Sequence, residues 1–586
     1  MTVFDPSALG ASQRAALDAY FDDTPAPAVL VESWRYGLSV AQAKGLTGVD
    51  TGEAARVSNT FEIGSQTKIM TSVIVLQLAA EGLIDLDARA SDYYDMPEVA
   101  NAEVVTVREL LSHRSGIADF DSVPGQSGLP AMFEELLADP TKPIGPDRLL
   151  TFVEDVPPLS EPGTAYAYSN TNYLLLQRLV EAVTGESLSD LFQDRIFDGA
   201  GMEDSKLDPS DRSDDRLRSY VDLGDGPALD VTDMPIDLGG AGGVVSTTSD
   251  MIRFFDALLV SKTLLPPEIL EQMLDFRAED GNPDMAGEGL GISSGVVFGK
   301  QLIGFQGGTL GTRSATFLDV ETGTIVSVAA SHFDADPADL MLQAFAALFN
   351  DEEWGRFDPD SDVFEMAVPA ADLNLSEATS VDGSPRTKVT AADVSLTLDG
   401  AISALDTGRF EFTDGSTLRI GTDGYDRIDV LRQTPDAAHA DNQLIGLGGH
   451  DNLSGGHGED RLLGGAGHDR LRGRGGDDWL EGGEGRDHLR GGSGDDVLDG
   501  GRGADFLQGG RGADRFVFEL GDGRDRLLRF EPGTDVIDLS ATGLSFEDLR
   551  IEQGAWGRQE IVYGDGDSIL LFGTTGCLQE EDFLFG

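Results

Sequence analysis

Apolar residues in the first part of the chain recur with the spacing of helices. Such segments lie near residues 65–82, 170–184, 249–260 and 338–349, and they alternate with short β-type runs such as GTIVSVAAS. The alternation predicts a mixed α/β domain, which we place at residues 1–357.

The pattern changes between residues 358 and 435. Prolines and aspartates become more frequent there, and segments such as VSLTLDG and RFEFTDGS predict short strands joined by Asp-Gly turns. We predict a small β module or a structured linker in this region, and we assign it no chemistry.

From about Asn442 to Phe516 the chain repeats every nine residues. A glycine is followed after two residues by an aspartate, and after two more by a large apolar residue. The glycines are Gly449, Gly458, Gly467, Gly476, Gly485, Gly494, Gly503 and Gly512; the aspartates are Asp451, Asp460, Asp469, Asp478, Asp487, Asp496, Asp505 and Asp514. Three registers kept over eight units favour a solenoid over a glycine-rich disordered linker.

The repeat also predicts a binding chemistry. Glycine permits a tight turn with positive φ, which would leave the aspartate at the turn edge and the apolar residue inside. If two units form one coil, aspartates 18 residues apart stack in two columns, which start at Asp451 and Asp460. Stacked carboxylates and open carbonyls suit Ca²⁺ better than Mg²⁺, because calcium accepts a flexible shell of oxygen ligands.

Units such as GGAGHDRLR and GGSGDDVLD resemble RTX (hemolysin-type) calcium-binding repeats. The resemblance implies a parallel β-roll over residues 436–520 that binds several Ca²⁺ ions. Residues 521–586 resemble the β-rich cap that follows such repeats, and the final EEDFLFG resembles an uncleaved C-terminal secretion signal. These resemblances imply a secreted, extracellular protein that uses type I secretion machinery and folds in external calcium.

The composition of the chain disfavours several classes of binding partner and excludes some types of site. The formal net charge of −62 disfavours nucleic acid and anionic membranes, because their phosphates would be repelled. No apolar run reaches the roughly 18 residues of a membrane span, and we expect no N-terminal signal peptide. The single cysteine, Cys577, excludes a disulfide framework and a cysteine-based zinc site.

The segment FEIGSQTKIM places Ser65 and Lys68 one turn apart at the start of an apolar helix. Backbone N–H groups and the positive end of the helix dipole would favour an oxyanion at Ser65. Burial would disfavour the ammonium form of Lys68, and a neutral amine there could act as general base. The S-x-x-K pattern alone is weak evidence, since it also fits a capping serine and a solvated lysine.

A second segment, YSNTNYLLL, strengthens the catalytic interpretation. It places Tyr168 and Asn170 just before another apolar helix. A phenol near a lysine can shuttle protons, and an amide can hold both Lys68 and a substrate carbonyl.

A third segment, IGFQGGTLGTRSATFLDV, is predicted to form a strand, a glycine pair and a second strand. It contains Gln306, Gly307, Gly308 and Thr309. The glycine pair would let a substrate backbone approach the strand edge, and the N–H of Thr309 would join that of Ser65 as an oxyanion donor.

With these motifs, residues from about 15 to 350 resemble the serine β-lactamase and penicillin-binding-protein superfamily. The nearest branches are class C β-lactamases, D-alanyl-D-alanine carboxypeptidases, D-aminopeptidases and family VIII esterases. The resemblance implies an antiparallel sheet flanked by helices, with Ser65 as the acylated nucleophile. It further implies that Lys68 and Tyr168 transfer protons, that Asn170 orients the substrate, and that catalysis needs no cofactor.

The third motif departs from the family pattern. Peptidases and lactamases usually have Lys-Thr-Gly or His-x-Gly there, whereas this chain has Gln306, Gly307 and Gly308, which bring no charge. Family VIII esterases tolerate an uncharged residue, which favours ester or small amide substrates, including peptide-like ones. Arg313 could restore a positive charge.

Two functions remain open from the sequence. One is a secreted serine hydrolase with a calcium-binding module, and the other is a non-catalytic exoprotein whose repeats serve calcium-dependent binding or adhesion. Ser65, Lys68, Tyr168 and Asn170 together favour the enzyme, because a binding scaffold needs none of them. We interpret His113 as a structural support and not as a catalytic base.

Overall fold

A computed structural model describes the chain apart from residues 1–2, 5, 36, 50–51, 128, 208–214, 223–227, 278–286, 298, 350–362, 367–369, 380–384, 392–393, 400–401, 403–409, 413–415, 423, 434–436, 554–557, 565 and 575–577. Cys577 therefore lies outside the described residues, as does part of the predicted module at 358–435. The chain divides into two compact units. The N-terminal unit is built on Ala8–Arg356, and the C-terminal unit on Ser384–Gly586 with Met1–Ser7 and Phe357–Thr379.

An antiparallel sheet forms the frame of the N-terminal unit. Helices cover this sheet, and its central strands are therefore buried. The strand Thr324–Ala330, for example, is buried at every position. In the described part of this unit the strands are ordered Leu38–Gly45, Ala28–Arg35, Thr324–Ala330, Arg313–Asp319, Lys300–Gly308, Ser293–Val297 and Gly287–Glu288. A small antiparallel sheet joins Phe61–Glu62, Val244–Ser246 and Lys206–Leu207, and a pair joins Tyr220–Val221 to Leu229–Asp230.

Helices surround this sheet. The helix Thr67–Ala80 is apolar on nearly every face and is accordingly buried over most of its length. It packs against Asn170–Thr184, which ends at Gly185 in the left-handed conformation (φ 76°). The other α-helices are Pro6–Asp23, Val107–Leu111, Ala131–Ala138, Pro146–Thr151, Leu188–Phe192, Asp198–Ala200, Thr248–Phe255, Pro267–Met273 and Pro337–Phe349.

Three glycines let the segment before Ser65 pack closely against the sheet. Gly64 has a φ of 54°, and a Cβ there would lie 2.5 Å from the backbone nitrogen of Gly308. A Cβ on Gly307 would lie 1.8 Å from the carbonyl oxygen of Ile63. The backbone before Ser65 therefore packs directly on the backbone of the strand Lys300–Gly308. This contact fixes the position of Ser65 at the end of that strand.

The C-terminal unit contains a β-roll of parallel strands. One of its sheets runs Leu418–Ile420, Gln443–Ile445, Arg461–Gly467, Trp479–Gly485, Val497–Asp499, Arg515–Val517, Val536–Asp538 and Phe583–Leu584, with Gly448–Gly449 and Arg502–Gly503 at its side. The other runs Arg427–Asp429, Asn452–Ser454, Arg470–Arg472, His488–Ser493, Phe506–Arg511, Arg524–Leu528, Ser568–Phe572, Gln559–Val562 and Arg550–Gln553. The last two strands pair antiparallel. The parallel strands thus begin before residue 436 and continue past residue 520, the ends expected from the repeat.

The repeated apolar residues form the interior of the roll. Leu453, Leu462, Leu471, Leu480, Leu489, Leu498, Leu507 and Phe516 are all buried in one cluster. Further strands of this unit are Asn374–Thr379, Pro385–Ala391 and Val394–Asp399, which pair antiparallel, and Val3–Phe4, Val363–Met366 and Phe410–Phe412, which pair parallel. A short helix covers Val430–Gln433. None of the helices within the described residues combines the length and apolar character that crossing a bilayer requires.

Replacing Gly64 with alanine should destabilise the N-terminal unit and lower any activity that depends on Ser65. Gly82→Ala is the matched control, because Gly82 also has a positive φ (75°) but a Cβ there meets nothing within 4 Å. The left-handed backbone costs both variants about 1–2 kcal/mol. Only Gly64→Ala adds a clash with Gly308, so its unfolding free energy should fall further. Equal losses in thermal or denaturant unfolding would contradict the close packing.

Candidate active site and calcium-binding repeats

Ser65 lies in a short 3₁₀ segment, Gly64–Gln66, that leads directly into the helix Thr67–Ala80. Its Oγ lies 3.0 Å from Nζ of Lys68 and 2.7 Å from Oη of Tyr168. Because Lys68 comes one turn after Ser65, the helix itself directs the amine to the hydroxyl. The structure thus brings the three predicted catalytic residues together.

Lys68 is completely buried. Its Nζ donates to Oδ1 of Asn170 (2.7 Å) and to the carbonyl oxygen of Ala241 (2.5 Å), while the third neighbour is the Ser65 hydroxyl. A neutral amine fits this arrangement, with two N–H bonds to oxygen acceptors and its lone pair towards Ser65. Burial lowers the pKa of Lys68, and the carboxylates of Asp119 and Asp121 act against this shift.

Tyr168 is held by His113. The two rings stack with centroids 4.4 Å apart, and Nδ1 of His113 accepts the backbone N–H of Ser169 (3.1 Å). Burial lowers the pKa of His113 to about 3, so this ring is neutral, and burial raises the pKa of Tyr168 well above its usual range. His113 contacts the flat face of the tyrosine and not Ser65, which agrees with a supporting position.

Two carboxylates that the sequence interpretation missed complete the polar cluster. Nδ2 of Asn170 donates to Oδ2 of Asp119 (3.0 Å) and to Oδ2 of Asp121 (3.1 Å). These bonds fix the amide with its oxygen towards Lys68. Burial and the charge of Asp121 raise the pKa of Asp119. No spacing rule connects the segment ADFDS with Lys68, so only the fold shows that Asp119 and Asp121 face the amine.

Ser65 opens into a cavity of about 260 Å³. Gly308 and Thr309 line it, but the predicted roles of this segment need correction. Gln306 is exposed and lies outside the lining, and Gly307 is buried against Ile63. The N–H of Thr309 donates to the carbonyl oxygen of Thr312 (2.9 Å), so the hairpin uses the donor that was expected to serve an oxyanion.

Arg313 supplies a positive charge to this cavity. Among the described residues that line the cavity, it is the one with a basic side chain. Its Nε donates to the carbonyl oxygen of Phe333 (2.7 Å), and its guanidinium carbon lies 4.1 Å from the centroid of the Phe333 ring. The guanidinium lies beside Gly308, and its partial burial lowers the pKa of Arg313.

A cluster of Asp222, His332 and Asp334 lies close to Phe333. Their ligand atoms are all within 4.8 Å of one another. However, Nδ1 of His332 accepts the backbone N–H of Asp334 (3.1 Å), which places the proton of the neutral ring on Nε2. Metal-bound histidines instead donate from their second nitrogen. This cluster is therefore better explained by the local hydrogen bond between His332 and the backbone of Asp334, with the Asp222 carboxylate 3.8 Å from Nε2 of His332.

The repeat aspartates stand in two columns on the roll. The backbone N–H of Asp451 donates to Oδ1 of Asp469 (2.6 Å), and that of Asp469 donates to Oδ1 of Asp487 (2.7 Å), each 18 residues on. The second column, which contains Asp460 and Asp478, has the same bonds (2.9 Å for that pair). Two nonapeptides therefore make one coil.

The repeat glycines permit neighbouring coils to approach. A Cβ on Gly467 would lie 1.4 Å from the carbonyl oxygen of Gly449, and one on Gly485 would lie 1.4 Å from that of Gly467. In the second column a Cβ on Gly476 would lie 2.1 Å from the carbonyl oxygen of Gly458. No other residue fits these positions, which explains the invariant glycine register.

The carboxylates fit a calcium-binding role. Six repeat aspartates have a buried Oδ2 that finds no hydrogen-bond partner among the described residues: Asp451, Asp469, Asp478, Asp487, Asp496 and Asp505. Burial raises the pKa of Asp478 to about 9 and that of Asp505 to about 8, because an unpaired buried charge is unfavourable. Calcium would supply the missing positive charge and bind carboxylate oxygen.

The columns continue beyond the eight predicted units. Oδ1 of Asp525 accepts the N–H of Asp505 (2.9 Å), and Oδ1 of Asp535 accepts that of Asp514 (3.1 Å). Both are preceded two residues earlier by a glycine, Gly523 or Gly533. Sequence inspection missed them because the connecting loops are one or two residues longer and break the period of nine.

Comparison with known proteins identifies both units. The family model described as Beta-lactamase matches residues 16–350, more than half of the chain. The model for the RTX calcium-binding nonapeptide repeat matches four times, at residues 440–471, 463–498, 472–507 and 490–525.

Similar proteins include penicillin-binding protein 4 of Amycolatopsis lactamdurans, which is 35% identical over 223 residues (36% of this chain and 54% of the relative). A D-aminopeptidase of Brucella anthropi is 27% identical over 322 residues (53% and 57%). The crystal structure of a D-stereospecific amidohydrolase from Streptomyces sp. superposes with a TM-score of 0.51 at 26% identity (57% and 98%).

The match spans a little over half the length of these two curated relatives. The family is shown by the family model, which matches more than half of the chain, and the antiparallel sheet that carries the Ser65 cluster agrees with it. The chain belongs to the beta-lactamase family and carries RTX calcium-binding nonapeptide repeats in its C-terminal part.

Proposed function

We propose that this protein is a serine hydrolase that cleaves an ester or amide through an acyl-enzyme on Ser65. The supporting observation is the position of the Ser65 hydroxyl, 3.0 Å from the buried Lys68 amine and 2.7 Å from the Tyr168 phenol. A nucleophile with a base in hydrogen-bond reach, itself oriented by a third group, is the arrangement that acyl transfer requires. Here Asn170 is that third group.

In the first step, neutral Lys68 accepts the Ser65 proton as Oγ attacks the substrate carbonyl. The bond to the leaving group breaks as the carbonyl re-forms, and Tyr168, a neutral phenol, donates a proton to that group. Lys68 then gives the proton that it accepted from Ser65 to the Tyr168 phenolate, so that both groups are neutral again. Water repeats the sequence on the acyl-enzyme, which releases the acid and regenerates Ser65.

The residues that line the cavity support a proposal for the substrate class. Gln306 lies outside it, so the charge that the family's third motif would supply is replaced by Arg313. Relatives named D-aminopeptidase and lovastatin esterase support an amide or ester as the substrate. We therefore propose a small ester, amide or peptide-like substrate, with an anionic or carbonyl group directed to Arg313.

A purely binding role is the second candidate. The unpartnered calcium ligands of the repeats would fit a calcium-dependent adhesive module. A purely binding role does not explain why Lys68 is completely buried beside the Ser65 hydroxyl, since burial of an ammonium group is unfavourable. We therefore favour the hydrolase.

We also propose that the repeats serve secretion through a type I system and folding in external calcium. RTX repeats are typical of secreted proteins. In the folded protein, the residues of the expected signal are part of the roll, since Phe583–Leu584 pairs with the strand Val536–Asp538. Export would therefore have to precede folding.

Ser65→Ala should abolish covalent labelling by a fluorophosphonate or a fluorescent penicillin and reduce ester hydrolysis by at least about 10³-fold. Ser72→Ala is the control, because Ser72 is a buried serine on the same helix that contacts Tyr173 and not Lys68. Mass spectrometry of the intact protein measures the adduct. An unlabelled wild-type protein would favour the binding role instead.

Hydrolysis should depend on pH through Lys68. The amine is active when neutral, so kcat/KM should fall as pH decreases, with an apparent pKa well below the usual ~10.4 of lysine. Asp119→Asn removes a charge that favours the ammonium form, and should move this acid limb to lower pH. The control Asp139→Asn changes an exposed carboxylate and should leave the acid limb of the pH profile unchanged. Identical profiles for all three proteins would refute the role of Lys68.

Calcium removal should unfold the roll. We expect EDTA to lower the β signal in circular dichroism of the full chain, and added calcium to restore it. A double variant, Asp478→Asn with Asp496→Asn, should need several-fold more calcium. The control Glu481→Gln changes a side chain outside the columns. A spectrum that EDTA does not alter would disprove calcium-dependent folding.

A further inference from the structure

The two sheets of the roll expose different chemistry. The sheet with Arg470–Arg472, His488–Ser493, Phe506–Arg511 and Arg524–Leu528 presents a basic surface that we call the arginine face, made of Arg470, Arg472, His488, Arg490, Phe506 and Arg526. The other sheet alternates basic, apolar and acidic residues at the corresponding positions: one row contains Arg461, Trp479, Val497 and Arg515, and the next contains Leu463, Glu481 and Asp499.

Positive side chains stand next to one another on this face. Arg472 and Arg490 are direct partners on adjacent parallel strands, and Arg470 is the direct partner of His488, whose pKa is lowered by burial. Strands are about 4.8 Å apart, and like charges in such positions destabilise a sheet. This arrangement is unfavourable for the protein alone.

Carboxylates do not relieve this repulsion. None of the ion pairs found among the described residues includes Arg470, Arg472, Arg490 or Arg526. Yet the chain has 104 acidic residues and 42 basic ones. In a chain with so many more acidic than basic residues, a row of arginines without acidic partners is not expected from the composition alone.

An aromatic stack holds part of the face in place. His488 stacks on Phe506 with centroids 4.5 Å apart and planes 6° apart, and the Arg526 guanidinium carbon lies 4.7 Å from the Phe506 centroid. A groove of about 350 Å³ runs along the face and is lined by Arg470, Arg472, His488, Arg490 and Gln508, among others. The planar guanidinium group is pre-organised, so an arginine loses little side-chain entropy for each hydrogen bond that it forms with an anion.

We propose that the arginine face binds an acidic glycan, a sugar chain that carries regularly spaced carboxylate or sulfate groups. Guanidinium groups bind such groups through paired hydrogen bonds. Arginines on successive coils repeat at the strand spacing of about 4.8 Å, which is close to the length of one sugar residue. A bound glycan would also remove the repulsion between Arg472 and Arg490.

Charge density favours a glycan over other anionic partners. Duplex DNA carries one charge per ~1.7 Å and would be repelled strongly by a chain with a net charge of −62. An anionic bilayer presents the same dense charge, and the one large apolar residue of the face, Phe506, is covered by His488 and Arg526. A glycan with one charge per sugar or fewer is repelled least.

The test is calorimetric titration of the full chain, in calcium, with a short chondroitin sulfate oligosaccharide, which carries about one charge per sugar. A triple variant of the face, Arg470→Gln, Arg472→Gln and Arg490→Gln, is compared with Arg461→Gln, Arg502→Gln and Arg515→Gln on the other sheet. Both lose three charges. We expect the face variant to bind at least tenfold more weakly, the control to bind within twofold of wild type, and wild-type binding to weaken with salt.

Circular dichroism in calcium shows whether the variants fold. If the triple variant does not fold, Arg490→Gln alone should weaken binding several-fold. The proposal fails if wild type does not bind the oligosaccharide, or if both triple variants weaken equally. It also fails if duplex DNA or phosphatidylglycerol vesicles bind more tightly, or if the face variant instead abolishes a dimer of this chain.

Discussion

The burial of the Lys68 amine beside Ser65 is the interaction on which the catalytic unit depends. A buried ammonium is unfavourable, so the protein must either neutralise it or pair it. Here Asn170 and the Ala241 carbonyl satisfy its N–H groups, while Asp119 and Asp121 lie one residue further out. The amine is thereby held between two protonation states, as a general base must be.

The second constraint is that two backbone segments must approach each other closely. In both units, glycine makes this close approach possible. In the N-terminal unit Gly64 meets Gly308, which fixes the position of Ser65. In the roll the repeat glycines lie one above another, which lets aspartates of successive coils share hydrogen bonds. In each case a Cβ would separate the functional groups that the contact brings together.

Features set by local spacing could be predicted from the sequence. Ser65 and Lys68 share a helix turn, and the aspartate columns follow from a fixed period, so both are evident in the chain. Asp119, Asp121 and the true position of Gln306 could not be predicted, because they depend on how distant segments pack. Asp525 and Asp535 were missed for a different reason, since loops of unequal length interrupt the period but not the stacking.

Measuring the pKa of Lys68 is the most direct test of its role as the general base. Nuclear magnetic resonance of protein labelled with ¹³C at the lysine side chains, with the Lys68 signal assigned through Lys68→Arg, gives its pKa without an assay of activity. We predict that Lys68 titrates well below the usual ~10.4 of lysine. A signal that titrates at the usual value would contradict it, because a lysine that stays charged cannot accept the Ser65 proton.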